Sequence, residues 1–309
     1  MTLYKKTHDS ISKKTMSAKI LDGKKIAGEI KLEIKQETER LRSERGIVPG
    51  LAFILVGENP AAQSYVTMKE KACEELGFHS FTERFSEDSP EELIVERISL
   101  LNADPKIHGI LVQLPLPNHN LEERIVNALD YRKDIDGVHP MNAGRLVAGL
   151  ECFKPCTPLG VHELLLRTGN NPSGKHVVIA GRSNVVGKPL MNMLLQKQEN
   201  ANATVTIVHT GTNNIPSFTM QADILIVAMG KPKIVTGDMI KPGAVVIDVG
   251  INHIDDPKAK NGYRIVGDVH FASAVEVASA ISPVPGGVGP MTIAMLMRNT
   301  LQSAKRKVE

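Results

Sequence analysis

The sequence predicts an α/β protein of two domains, and three observations carry that expectation. Short apolar runs alternate with helical patterns along two segments, from about 20 to 150 and from about 155 to 285. Such alternation favours parallel sheets covered by helices. A length of 309 residues allows two domains, each with a substantial core. Within the second segment, "HVVIAGRSNVVGKPL" runs from a strand through a glycine-containing turn into a helix.

The elements follow in order. Residues 1 to 18 form a basic, polar tail with neither arginine nor an apolar signal-peptide core, so disorder is expected and no secretory address. "KKIAGEIKLEIKQETERLRSE" has the spacing of a long amphipathic helix. Leu51 to Val56 reads as a short buried strand. Asn59-Pro60 then supplies a cap and a first helical residue, and Gly77 a stop, for a helix over 61–78. A helix near Pro90–Asn102, a strand in "IHGILVQL" and a Pro-rich turn leading into a helix complete the first segment. The second segment offers the strands "HVVIAG", "ATVTIV", "DILIVA" and "AVVIDVG", with a helix over about Val186–Gln196. After "ISPVPGGVGP", the run "MTIAMLMRNTLQSAKRK" reads as a final helix. It gives the chain a route back to the first domain.

Composition narrows the function classes. The hydrophobic share of 42% and charged share of 23% are those of a globular protein. Trp is absent and the formal charge is only +3, so no nucleic-acid partner is expected. No apolar run approaches a membrane span. Cys73, Cys152 and Cys156 are an odd, scattered set. They suit a reducing compartment such as the cytoplasm and offer no metal pattern.

Several residues stand out chemically. Ala62, Val66, Cys73 and Leu76 form an apolar stripe on the 61–78 helix, and Lys69 falls on it, one turn after Tyr65. Either the lysine stem covers apolar surface while its head reaches water, or a desolvated amine has its pKa lowered towards neutrality and exchanges protons. Gln113 ends a buried strand, where it either ties down the following Pro-rich turn or faces a ligand. Asp134 and Asp136 in "DIDGVHPMNAGRL" are paired acids of a kind that commonly form turns. Gly181 and Gly187 suit a turn that presents N–H groups and a helix start to a pyrophosphate. Arg182 and Ser183 beside them could hold a 2′-phosphate, favouring NADP over NAD. Gly250, Ile251, His209 and Thr210 stand at other strand ends, where ligands collect in an open parallel sheet. The Gly- and Pro-rich "SPVPGGVGPMT" can wrap a ligand with main-chain groups.

Seven segments in order, "VGENPAAQSYVTMKEKACEELG", "GILVQLPLP", "KDIDGVHPMNAGRL", "PCTPLGV", "VVIAGRSNVVGKPL", "VIDVGIN" and "PVPGGVGPMTIAMLM", resemble the methylenetetrahydrofolate dehydrogenase/cyclohydrolase family from about residue 20 onward. The resemblance implies a Rossmann-type parallel-sheet NADP-binding domain over 153–289. It implies an α/β folate-binding catalytic domain over 19–152, completed by 290–309, with a cleft between the two. It assigns catalysis to Lys69, Tyr65, Gln113 and Asp136, with Tyr65 against the folate and Gln113 setting the protonation of Lys69. Asp136 would bind the pterin's aminopyrimidine edge. Val66, Thr67 and Met68, then Val112 and Leu114, would border the substrate. So would Pro285, Gly286, Gly287, Val288 and Gly289, followed by Pro290, Met291, Thr292 and Ile293. Gly181, Arg182, Ser183, Val186 and Gly187, with His209, Thr210, Gly250 and Ile251, would contact NADP. A tetrahydrofolate derivative, with or without a polyglutamate tail, is the implied substrate and a homodimer the implied assembly. The alternatives are a dehydrogenase without hydrolysis and a silent NADP- or folate-binding regulator.

Overall fold

The computed structural model describes residues 18–259 and 262–306. The tail expectation therefore lies outside the described residues except at Ala18, whose N–H donates to the Val275 carbonyl at 3.0 Å. The chain then forms strand β1 (Lys19–Ile20) and helix α1 (Gly23–Arg45). Asp22 caps α1 by accepting from the Lys25 N–H at 2.9 Å. Next come β2 (Gly50–Val56), α2 (Pro60–Leu76), β3 (His79–Phe85), α3 (Glu91–Ala103), β4 (Gly109–Val112) and α4 (Glu122–Asn127). The α2 start follows the sequence signal: the Asn59 side chain accepts from the N–H groups of Ala61 and Ala62 at 3.0 and 3.2 Å.

These strands make a parallel sheet in the order β3-β2-β4. Central β2 is buried along its whole length, because both its faces are covered. Phe53 and Leu55 join a core with Ile30 of α1 and Val66 of α2. Ala52 and Ile54 join a second core with Ile94 and Ile98 of α3 and Ile125 of α4. That alternation follows from the two-residue period of a strand.

Helices α5 (Pro140–Val147) and α6 (Cys156–Arg167) lead to the second sheet. Its strands are β5 (His176–Ala180), β6 (Thr204–Val208), β7 (Ile224–Val227), β8 (Val245–Asp248) and a late β11 (Ala280–Ile281), with α7 (Gly187–Leu194) and α8 (Pro216–Thr219) between them. An antiparallel hairpin, β9 (Asn252–Asp255) with β10 (Tyr263–Val266), and the short α9 (Phe271–Ala274) precede β11. The order β1-β11-β8-β7-β5-β6 is parallel throughout. Residues 19–20, grouped with the first segment in the sequence reading, thus form the edge of the second sheet. There Lys19 N–H donates to Ser279 O at 2.9 Å and Leu21 N–H to Ile281 O at 2.9 Å.

Helix α10 (Val288–Arg306) returns to the first half and packs on α1 and α6, burying Met291, Met295 and Leu301. Pro290 sits in its first turn, where a missing N–H costs nothing. Arg298 of α10 holds Glu163 of α6 by two bonds of 2.9 and 3.0 Å, and Glu163 also accepts from Arg167 Nε at 2.7 Å. Arg167 forks in turn onto Glu33 of α1. Burial pushes the Glu163 carboxyl up, but the hydrogen bonds from Arg298 and Arg167 outweigh it and bring it down to about 2. Its stabilising effect is therefore complete above the ordinary glutamate range and lost as pH falls towards 2. Glu163→Gln is expected to cost about 1.5–3 kcal/mol at pH 7, the range for hydrogen bonds to charged groups. Melting curves should converge for variant and parent between pH 4.5 and 2; a constant gap over that range would refute the assignment.

Candidate active site

A cavity of about 700 Å³ lies between the two sheets. One wall is α2, which presents Tyr65, Met68 and Lys69, joined by Gln113 just past the end of β4. The opposite wall is the carboxyl end of β8 with the turn beyond it, Asp248 to Ile251. The stretch Pro283 to Pro290, with Thr292 and Ile293, closes a third side. Lys24, Gly28 and Lys31 of α1 border it as well.

Lys69 extends along this wall and donates to Gln113 Oε1 at 2.9 Å. The Gln113 amide is held in that orientation by its own Nε2, which donates to Leu114 O at 2.9 Å. Burial drives the Lys69 pKa down, opposed by the nearby Asp136 carboxyl and Cys156 thiol. Burial likewise raises Asp136, against the opposing pull of Lys69 and hydrogen bonds from Cys156. A neutral amide orients the amine without adding a charge that would lock the proton on. The net shift is downward, towards the neutral amine. Tyr65, one turn earlier, is half-buried, and burial followed by the neighbouring Tyr263 raises its pKa.

Other expected positions fall elsewhere. Val66, Val112 and Met291 are buried in the hydrophobic cores; Thr67 is exposed, and Leu114 packs against the β2–β4 core. Asp136 sits beside Lys69 and is partly exposed. Asp134 serves its turn: Oδ2 accepts from His139 N–H and Asn142 Nδ2, each at 2.8 Å.

The β5–α7 turn has the tight packing that a dinucleotide needs. A Cβ on Gly181, whose φ is 136°, would lie 2.2 Å from the Ala228 carbonyl oxygen. A Cβ on Gly187 would lie 2.1 Å from the Gly181 carbonyl oxygen. The two glycines let the helix start close onto the strand end, the packing of a turn that brings a pyrophosphate up to a helix N-terminus. Val186 N–H donates to Ser183 Oγ at 3.1 Å. Arg182 is exposed and its Nη1 stands 3.2 Å from His209 Nε2, at the neighbouring end of β6. Thr210 is exposed just beyond. A guanidinium, an imidazole and a hydroxyl at adjacent strand ends fit an adenosine 2′-phosphate. Among the described residues no group of His, Cys, Asp and Glu could hold a metal ion, and no helix is long and apolar enough to cross a membrane.

Sequence reasoning missed Lys24 and Lys31, because lysines on an amphipathic helix read as its wet face. It also missed Asp248, the last residue of β8, because an acid at a strand end gives no sign of its burial. Burial pushes the Asp248 carboxyl up to about 6.

Residues 21–136 match the catalytic domain of the tetrahydrofolate dehydrogenase/cyclohydrolase family, and residues 155–308 match its NAD(P)-binding domain. The chain is 54% identical over 289 residues to the bifunctional protein FolD of Chlorobium phaeobacteroides, covering 93% of this chain and 98% of that protein. The same protein of Moorella thermoacetica is 54% identical over 291 residues, covering 94% and 100%. Among solved structures, the Campylobacter jejuni bifunctional enzyme FolD superposes with a TM-score of 0.87 at 47% identity, covering 94% of this chain and 99% of that one. The Trypanosoma brucei methylenetetrahydrofolate dehydrogenase-cyclohydrolase, complexed with NADP and an inhibitor, gives 0.89 at 38% identity over the same shares. On both the family match and the extent of these relatives, the chain belongs to the tetrahydrofolate dehydrogenase/cyclohydrolase family.

Proposed function

We propose that the protein oxidises 5,10-methylenetetrahydrofolate to the methenyl form with NADP⁺, then hydrolyses that product to 10-formyltetrahydrofolate at the same site. The observation that carries this reading is the Lys69–Gln113 pair beside Asp136, across one cavity from the Gly250–Ile251 turn of the parallel sheet. NADP⁺, when bound, supplies the hydride acceptor. The chain's part in that step is to hold the folate against Tyr65 and the 283–290 loop, with its one-carbon bridge facing Gly250 and Ile251.

Hydrolysis needs proton transfers. Neutral Lys69 takes the proton of the attacking water and returns one to the ring nitrogen as the ring opens. Gln113 keeps the amine aimed, and the cationic methenyl substrate further disfavours an ammonium beside it. Asp136 binds the aminopyrimidine edge of the pterin. In this reading 21–152 with 290–306 forms the folate-binding unit and 153–289, with the 19–20 edge strand, the cofactor unit, and the protein works as a cytoplasmic homodimer.

The test is spectrophotometric: NADP⁺-dependent oxidation of methylenetetrahydrofolate, then decay of methenyl absorbance above the uncatalysed rate. Oxidation with methenyl accumulating at the uncatalysed rate would reduce the protein to a dehydrogenase. A second expectation concerns cofactor choice. Replacing Arg182 and Ser183 together by Ala should raise KM for NADP⁺ about tenfold or more, the scale of one or two lost charge-assisted bonds. KM for NAD⁺ should barely change. Equal losses for the two nucleotides would remove the 2′-phosphate assignment.

A further inference from the structure

Two carboxylates are buried at the cofactor wall, Asp248 within it and Asp268 behind it, and the chemistry above gives neither a role. Asp248 ends β8 and Asp268 follows the β9–β10 hairpin; they are 4% and 0% exposed. Asp248 Oδ1 accepts from the N–H groups of Gly250 and Asp268, and Oδ2 from that of Val269, all at 2.9 Å. Asp268 Oδ2 accepts from Met229 N–H at 2.6 Å and Gly230 N–H at 2.8 Å. Its Oδ1 accepts from Lys231 N–H at 3.0 Å and Asn252 Nδ2 at 2.8 Å.

Of the donors, all but Asn252 Nδ2 are main-chain groups. They belong to the loops after β7 and β8 and to the return from the hairpin, so the two acids clamp neighbouring strand-end loops to each other. The clamp is closed by two glycines. A Cβ on Gly267 would lie 1.8 Å from Asp248 Oδ2, and one on Gly250 would lie 2.3 Å from Asp268 Oδ1. No side chain larger than hydrogen fits either position while the carboxylates stay where they are. Asp248 also donates its own N–H to Ser282 Oγ at 2.8 Å, which links the clamp to the residue before the 283–290 loop.

We infer that Asp248 and Asp268 are positioning residues for hydride transfer, a buried carboxylate pair that fixes the Gly250–Ile251 wall where the nicotinamide packs. The inference rests on the dehydrogenase reading above. Two buried acids side by side repel each other and are a costly way merely to fill a core. Here each satisfies N–H groups at strand ends that no ladder partner reaches. Those strand ends set where the nicotinamide stands relative to the folate carbon. A displacement of that wall lengthens the hydride path, and rate is steeply sensitive to such distances. Water attack at Lys69 is served from the opposite wall, so it depends on the clamp far less than hydride transfer does.

The experiment uses the full chain with Asp268→Asn, which keeps the shape but turns an amide N–H₂ towards main-chain N–H groups. The dehydrogenase kcat is expected to fall at least tenfold. Hydrolysis of supplied methenyltetrahydrofolate, without nucleotide, should stay within twofold. The deuterium isotope effect on kcat with substrate labelled at the methylene carbon should rise. A merely structural role would lower both activities together and leave the isotope effect unchanged; that result, or two unaffected activities, overturns the inference. Should Asp268→Asn not fold, Asn252→Ala decides: it removes one side-chain donor from the clamp and should lower the dehydrogenase-to-cyclohydrolase ratio two- to fivefold, whereas an unchanged ratio overturns the inference. Failure of the underlying reading is separate, because it appears in the unaltered protein as absence of hydride transfer.

Discussion

Lys69→Met is expected to lower hydrolysis of methenyltetrahydrofolate by roughly 10²- to 10⁴-fold, the usual worth of a placed acid–base group. Met has nearly the length and volume of the lysine stem, so the α2 stripe stays filled. Hydride transfer needs no proton from this side chain and should fall far less. The two activities, measured separately on one preparation, decide the matter: cyclohydrolase turnover at the parental rate would exclude Lys69 as the proton carrier. The pH dependence carries the same information. Burial lowers the Lys69 pKa, and its neutral form is the reactive base. Hydrolysis should therefore rise with pH and level off below the range where an ordinary lysine titrates. Lys69→Arg, which stays charged throughout, should be inactive in hydrolysis across that range.

Gly181→Ala should produce the second large effect, on the other wall. The added methyl group would meet the Ala228 carbonyl oxygen at 2.2 Å, at a φ of 136° that L residues rarely adopt. The backbone must shift, and that shift displaces the turn leading into α7. A loss of about 1–3 kcal/mol in stability is expected from the strained conformation. NADP⁺ affinity should drop at least tenfold. Calorimetric titration with NADP⁺ and thermal melting measure the two effects independently. Unaltered affinity would mean that the cofactor does not use this turn.

Much of this was legible because the signals are local. Asn59, Pro60 and Gly77 frame α2 in sequence as in space, and a strand buried on both faces announces itself as the unbroken apolar run from Leu51 to Val56. Lys69 was visible as an anomaly for the same reason: a helix repeats with a fixed period, and a cation broke it. What the residues alone could not say was whether that stripe met core or cavity, since that depends on how α2 stands against a wall nearly two hundred residues away. β3 escaped notice because an edge strand has partly exposed faces, and "HSFTERF" lacks the apolar run of its neighbour. The two-residue strands β1 and β11 carry too little pattern to detect. Asp248 and Asp268 were hidden for a different reason. A buried acid and a solvated one are the same letter, and only the main-chain N–H groups gathered around them separate the two.

The crossing of the chain's two ends has a practical consequence. β1 lies on the sheet formed by the C-terminal half, while α10 fills the core of the N-terminal half. A cut near residue 150 would leave each fragment holding a piece that belongs to the other. Neither half should survive excision as an independent module, yet the two co-expressed pieces should reassemble through that reciprocal exchange. Recombination between relatives should succeed only when both ends come from one parent.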